Sequence, residues 1–320
     1  VNPLPWRQAW QQALYAPTGF YREELPHDHF QTACRVAPDL LGLALARLAR
    51  RHGCTRVVDV GAGGADLLRG LAAADPDLQL VGVEVRPRPP GLSRRIGWAD
   101  VPPPPDQVTL LVGWELLDVI PCPVLQADDR GGLRTVLVDR DGTETLGDRP
   151  DPDDLAWAAR WWPGPYRPGQ RVEVGGARDS YWAQRVAELT DGVALAVDYA
   201  HTRDTRPFDG SLTGYRRGRC TPAIADGVHD LTAHVAWDSL AWTVDTTCAT
   251  ISVTSSQREA LQQLGIDGAT PSAARAATDP AGYLGALCAA GSAGALLDPR
   301  GFGGFSWLVT VSGSAAEPAC

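Results

Sequence analysis

The sequence predicts an α/β fold built on a largely parallel sheet, and three observations carry that prediction. Short apolar runs alternate with helix-length amphipathic stretches through the first two hundred residues, the pattern of strands joined by crossover helices. The first of these runs enters a glycine cluster, "RVVDVGAGGADLLRGL" from Arg56 to Leu71. A later run, "GVALAVDYA" from Gly192 to Ala200, is almost wholly apolar and ends in an acid and a tyrosine. That is how a strand buried on both faces delivers polar groups at its carboxyl end.

Each element follows in order. Pro5 to Tyr15 reads as a short helix with Trp and Leu on one face, followed by a polar loop containing "DHFQTACRVAP". Asp39 to Arg51 carries apolar residues at helical spacing and ends in arginines, which suit a helix C-terminus, and Gly53 stops it. Strands are then predicted at Arg56–Val60, Gln79–Val85, Arg95–Trp98 and Val108–Val112, with a helix at Ala65–Ala74 after the first. The proline run Val101–Asp106 is a stiff connector. Val124–Arg149 reads as a β-hairpin or small antiparallel insertion, and an aromatic, proline-rich stretch follows it. A helix at Arg178–Leu189, the Gly192–Ala200 strand, a strand at Ala249–Thr254, a helix at Gln257–Leu264 and a last strand at Ser306–Val311 complete the set. The organisation predicted is an N-terminal helical cap over 1–52 and a core over 53–320, with an insertion at about 124–177 between the fourth and fifth strands.

Composition bounds the function. A length of 320 residues, with 44% hydrophobic and 21% charged side chains, is enough for a substantial core in one or two domains. Thirty-eight acids against 29 bases give a net charge of -9, which repels a polyanion, so no nucleic-acid partner is expected; the basic cluster "YRRGRC", Tyr215–Cys220, reads as a solvated loop. The seven cysteines are scattered and form no C-x-x-C pair, which suggests neither a disulfide framework nor a metal site. No secretory pattern opens the chain, and no run of about 18 apolar residues is found, Arg47 interrupting the best of them. A cytoplasmic location and no membrane partner are the expectations.

The glycine turn narrows the ligand. Glycines between a first strand and a helix let backbone approach a ligand closely. A dinucleotide fingerprint needs G-x-G-x-x-G, but Gly61-x-Gly63 is followed by Asp66, an acid facing where a pyrophosphate would lie. S-adenosylmethionine carries no phosphate, and its turn takes the order D/E-x-G-x-G-x-G; Asp59-x-Gly61-x-Gly63-x-Ala65 fits with Ala as the last small residue. The ligand's amino group is a cation, so nearby carboxylates attract it. A second acid at the end of the next strand should accept from ribose hydroxyls, and Glu84 is there. A tight turn that merely packs helix on strand is the plainer reading.

Several further stretches, in order, resemble the MidA-like S-adenosylmethionine-dependent methyltransferases, a family related to the mitochondrial protein arginine methyltransferase that assists assembly of respiratory complex I. "DHFQTACRVAP" is similar to that family's GDF-x-TA-x-x-x-SP, "WELLDVIP" (Trp114–Pro121) to NEFFDALP, and "DYA" (Asp198–Ala200) to DYG. "GSLTGY" (Gly210–Tyr215) is similar to GTL-x-x-Y, and "DLTAHVAW" (Asp230–Trp237) to D-[IL]-T-x-HVDF. The resemblance spans about Phe20 to Val311 and implies a Rossmann-like class I methyltransferase sheet, S-adenosyl-L-methionine as cofactor, and Phe30 and Thr32 in a lid over it. Four positions depart from the pattern: Trp114 for Asn, His29 for Asp, Gly218 where a His often follows the tyrosine, and Ala236 for Asp. They lie near the expected acceptor rather than the cofactor.

Methyl transfer is an in-line displacement, so the protein mainly positions donor and acceptor and takes up a proton. A guanidinium acceptor would call for paired carboxylates. Glu115 and Asp118, three apart after the fourth strand, are the first candidates, with a capped helix start as the plainer reading; Asp198 and Tyr199 are the next, with strand-end hydrogen bonding as theirs. His234 could be a base or a substrate contact, but a lone histidine is more often structural, and Trp157, Trp161 and Trp162 read as packing. The function expected is S-adenosylmethionine-dependent methylation, with a protein side chain, arginine among them, as the favoured acceptor. A cofactor-binding assembly factor without catalysis, kept open by Trp114, and a small-molecule methyltransferase are the alternatives; a nicotinamide-dependent oxidoreductase comes after them, Asp66 opposing it.

Overall fold

The computed structural model describes residues 2–24, 29–248 and 250–313. Asp28 of the "DHF" stretch and Ala249, the expected first residue of a strand, lie outside the described residues. The chain divides into two compact units, each assembled from three segments: Val1–Phe30, Glu115–Glu188 and Asp198–Ser252 form one, and Gln31–Trp114, Leu189–Val197 and Val253–Cys320 the other. The cap expected over 1–52 is therefore divided at Phe30, and the expected insertion folds with the chain's beginning.

The second unit holds the seven-stranded sheet. In chain order its strands are Arg56–Val60, Gln79–Val83, Ile96–Ala99, Thr109–Trp114, Gly192–Asp198, Ser252–Ser256 and Ser306–Ser312; across the sheet they lie sixth, seventh, fifth, fourth, first, second, third. The five from Gly192–Asp198 to Ile96–Ala99 are parallel. The order reverses direction between Arg56–Val60 and Thr109–Trp114, the switch point at whose carboxyl edge open α/β sheets bind ligands. These two strands are buried along their whole length, which explains their mostly apolar sequence, with Arg56, Asp59 and Thr109 the polar residues buried in them. Helices Pro38–Arg51 and Asp66–Ala74 pack backbone to backbone where Gly42 faces Gly70: a Cβ on Gly70 would stand 2.0 Å from the Pro38 carbonyl oxygen.

Two helices in this unit went unpredicted, Ala273–Thr278 and Pro280–Leu297. Alanine and glycine dominate both, so no apolar stripe marks them. The second is uncharged over 18 residues, with a mean hydropathy of 1.3 and only 17% of it buried. By length and composition it is long and apolar enough to cross a membrane, a segment that a search for unbroken apolar runs passes over.

The first unit carries two antiparallel sheets and a short parallel pair, Ala200–His201 with Val235–Ala236. The hairpin strands Val124–Ala127 and Leu133–Val138 are extended by Arg171–Glu173 on one side and by Leu4–Pro5 on the other, so the N-terminus completes the insertion's sheet. Helix Trp6–Tyr15 buries Trp6, Trp10 and Leu14 against Val124, Val136 and Val138. A second small sheet orders Arg219–Thr221, Thr213–Arg216 and Asp230–Thr232. Trp157 and Trp161 lie on helix Pro152–Trp161, and the Trp157 indole donates to Asp179 and Ser239.

Candidate functional site

In the sheet unit, Arg56–Val60 ends in a turn where Gly61 and Gly63 take φ of +77° and +51°. Ala65 follows at +65°, a left-handed residue at the N-cap of Asp66–Ala74 where glycine would be unstrained. The Gly61 and Ala62 amides donate to the Val83 carbonyl, and the Gly63 amide donates to Glu84 Oε2 at 2.8 Å. Glu84 Oε1 accepts from the Val85 and Arg86 amides. This carboxylate thus shapes the turn with three of its roughly four lone-pair directions and keeps one for a ligand. Beneath it, Asp59 is 4% exposed, and burial, with the Glu84 charge nearby, pushes its carboxyl up to about 8.

In the other unit, Glu115, Asp118, Asp198 and Tyr199 come together. Asp198 Oδ2 accepts from the Leu117 and Asp118 amides, its Oδ1 from the Tyr199 amide, and the Tyr199 hydroxyl donates to Glu115 Oε2 at 3.1 Å. Glu115 holds φ of +49°, the kind of local strain that a surrounding structure must enforce. Asp118 and Asp198 are both buried. Burial raises both carboxyls, and for Asp118 the neighbouring Asp198, Glu115 and Asp230 charges add to it. Three amide donors favour the charged form of Asp198, while Asp118 Oδ1 takes no hydrogen bond among the described residues. Of the pair, Asp118 is thus the carboxyl driven further toward its protonated form and Asp198 the one better held as a carboxylate. Burial raises the Tyr199 hydroxyl as well, with Glu115, Asp118 and Asp198 contributing, so it remains a donor.

Residues that sequence reasoning missed hold this cluster in place. Arg178, 1% exposed, donates from its three nitrogens to the carbonyls of Asp118, Ile120, Ala233 and His234. Buried Glu173 accepts from the Ser211 and Leu212 amides and the Ser211 hydroxyl, and that hydroxyl in turn accepts from the His234 amide. The exposed His234 stacks on Tyr199 at 5.9 Å between ring centroids. A signal for Arg178 existed: Arg178, Trp182 and Val186 share one buried helical stripe.

Other expected residues are placed differently. Phe30 packs its ring on Tyr215 at 5.0 Å, and Thr32 is the N-cap of the short helix Ala33–Val36, accepting at its carbonyl from the Arg35 and Val36 amides. Trp114 is the last residue of its strand, buried against Trp307 at 5.3 Å, rather than part of an acceptor loop. No group of three or more metal-ligating side chains occurs among the described residues.

A family model described as "Putative S-adenosyl-L-methionine-dependent methyltransferase" matches residues 40–254. The chain belongs to this methyltransferase family. Its cofactor is S-adenosylmethionine, and it is a methyltransferase by family. Among solved structures it is similar to a Burkholderia thailandensis protein bound to S-adenosyl-homocysteine, at 24% identity and a TM-score of 0.78, over 99% of this chain and 89% of that one. A native crystal structure of a protein from the same organism matches at 23% identity, TM-score 0.78, with the same coverage. These likenesses establish the class I methyltransferase fold. No curated protein matches the methyltransferase.

Proposed function

We propose that this methyltransferase acts on a cationic protein side chain, with arginine the acceptor to which its resemblance to the MidA-like family points. The observation that carries the reading is the assembly of Glu115, Asp118 and Asp198 with Tyr199 in one cluster, in which the two aspartates are buried, Glu115 and Tyr199 are half-buried, and hydrogen bonds join Tyr199 to Glu115 and Asp198 to the backbone of Leu117, Asp118 and Tyr199. Such a group compensates a guanidinium's desolvation and fixes its plane. In this reading the ionised Asp198 and Glu115 orient the acceptor and Glu115 takes up its proton, while Tyr199 holds the Glu115 carboxylate in place. Asp118 keeps its own proton and limits the negative charge.

The glycine turn fits the cofactor. Glu84 has acceptor capacity left for a ribose hydroxyl, and Asp59, raised by burial, gains from a cationic ligand. When bound, S-adenosylmethionine supplies the electrophilic methyl group. Asp59, Gly61, Gly63 and Glu84 would hold it, with Phe30 and Thr32 assigned to its cover on the resemblance alone. A cytoplasmic location belongs to the same reading, and the six described cysteines are all free.

Calorimetry with S-adenosylmethionine and S-adenosylhomocysteine tests the cofactor half. Micromolar binding is expected in the wild type and its loss in Gly61→Arg, whose side chain would enter the turn, and in Glu84→Ala, which removes the acceptor for the Gly63 amide. Binding that survives both substitutions would remove the turn from the site. Transfer of radiolabelled methyl to arginine-containing peptides tests the acceptor half, with Glu115→Gln expected to lose turnover and keep cofactor affinity.

A further inference from the structure

The strands Thr213–Arg216 and Arg219–Thr221 form a hairpin whose tip is Arg217-Gly218, at φ of +49° and +78°. Its backbone is pinned. The Gly218 amide donates to the His29 carbonyl at 2.6 Å, the Arg217 amide meets His29 Nδ1 at 3.3 Å, and the Tyr215 ring lies on Phe30. Arg216, Arg217 and Arg219 are all exposed, and among the described residues none of the three guanidinium groups is in an ion pair. Three uncompensated cations on a rigid tip stand out on a chain of net charge -9.

The hairpin is joined to the acidic cluster through one small sheet. Tyr215 is in register with Asp230, whose carboxylate accepts from the Tyr21 hydroxyl at 2.8 Å. Immediately after that strand, the Ala233 amide donates to the Asp118 carbonyl. From Thr213, in register with Thr232 beside Ala233, to the tip at Arg217 is about 13 Å of extended chain, a span that an extended peptide covers in about four residues.

Resting on the reading of a protein acceptor, we propose that the Arg216–Arg219 hairpin is a docking surface for acidic residues of that acceptor, about four positions from the side chain that is methylated. Charge complementarity then works at two points of opposite sign: the buried carboxylates receive the cationic side chain, and the hairpin receives its acidic neighbours. A peptide in reverse register meets like charge at both points and is rejected. A nucleic acid would satisfy the arginines but is repelled by the rest of the molecule.

The test is fluorescence anisotropy on the full chain in saturating S-adenosylhomocysteine, using two labelled peptides. One carries a central arginine with glutamates four residues to either side; the other has alanine in place of each glutamate. At 50 mM salt the acidic peptide should bind at least tenfold more tightly, and raising the salt to 300 mM should shrink the difference. The variant R216S/R217N/R219S, in which asparagine accommodates the left-handed tip, should bind both peptides equally and retain wild-type cofactor affinity. Equal binding of the two peptides by the wild type would overturn the proposal, as would an acidic preference that survives in the variant. So would arginine-dependent binding of a single-stranded oligonucleotide more tightly than the acidic peptide. Failure of cofactor binding in the wild type would strike the methyltransferase reading instead, so the two failures are distinguishable.

Discussion

Single carboxyl groups carry much of the functional meaning of this chain, because each is buried in a different electrostatic setting. Asp59 has its carboxyl raised to about 8, above its unfolded value near 4. Between about pH 4 and pH 8 the unfolded chain has released this proton while the folded chain keeps it. Its contribution to stability is therefore greatest at low pH and falls by up to about 1.4 kcal/mol per pH unit as pH rises through that window. Urea unfolding at pH 5 and pH 7 should show a smaller loss for Asp59→Asn than for the wild type; an equal loss would mean that Asp59 is charged in the folded protein. Asp198 and Asp118 should differ in the same assay at pH 7. Asparagine at 198 sets an amide against three backbone donors and should cost about 2–3 kcal/mol, whereas at 118 it replaces the carboxyl that burial and neighbouring charges drive toward its protonated form and should cost under about 1 kcal/mol. The reverse order would exchange the protonation states of the pair.

At the scale of elements, the contrast between glycines shows where packing overrides propensity. Gly70 lies where helices Pro38–Arg51 and Asp66–Ala74 touch, and Gly285 lies in Pro280–Leu297 with open space around it. Gly70→Ala should destabilise by roughly 1–3 kcal/mol or more, since the backbone itself must move. Gly285→Ala should stabilise by roughly 0.5–1 kcal/mol through helix propensity. Thermal unfolding of the two variants checks both signs. The elements also show what the sequence could express: the central strands Arg56–Val60, Thr109–Trp114 and Gly192–Asp198 were legible because they are buried on both faces, with boundaries shifted by only a few residues. Pro280–Leu297 was not, because an exposed helix of small residues has neither an apolar stripe nor a charged face to announce it.

At the scale of the molecule, both units are discontinuous in sequence, so neither can be cut out at a single boundary. The family match ends at residue 254, yet the strand Ser306–Ser312 lies between Ser252–Ser256 and Gly192–Asp198. A chain ended at 254 would leave the Gly192–Asp198 strand, buried along its whole length here, as an edge lacking its Ser306–Ser312 neighbour. It should be insoluble or lack dispersed amide resonances when the full chain shows them; a well-dispersed spectrum would show that the last strand is dispensable.

What the sequence by itself determined is local in origin. The glycine turn, the acid ending the next strand, and the carboxylates at the ends of the fourth and fifth strands are each specified by neighbouring residues and a backbone period. The family's stretches fix their order along the chain. Tertiary structure decided what depends on partners distant in sequence. Arg178 and Glu173 belong to no sequence motif, yet both are buried and hold the Asp118 and His234 segments. Trp114 turned from an acceptor-loop substitution into a core residue against Trp307. The N-terminal strand joined a sheet formed more than a hundred residues later. A side chain's hydrogen-bond partners and the desolvation of a carboxyl are set by the fold around them, and no window of sequence contains that information.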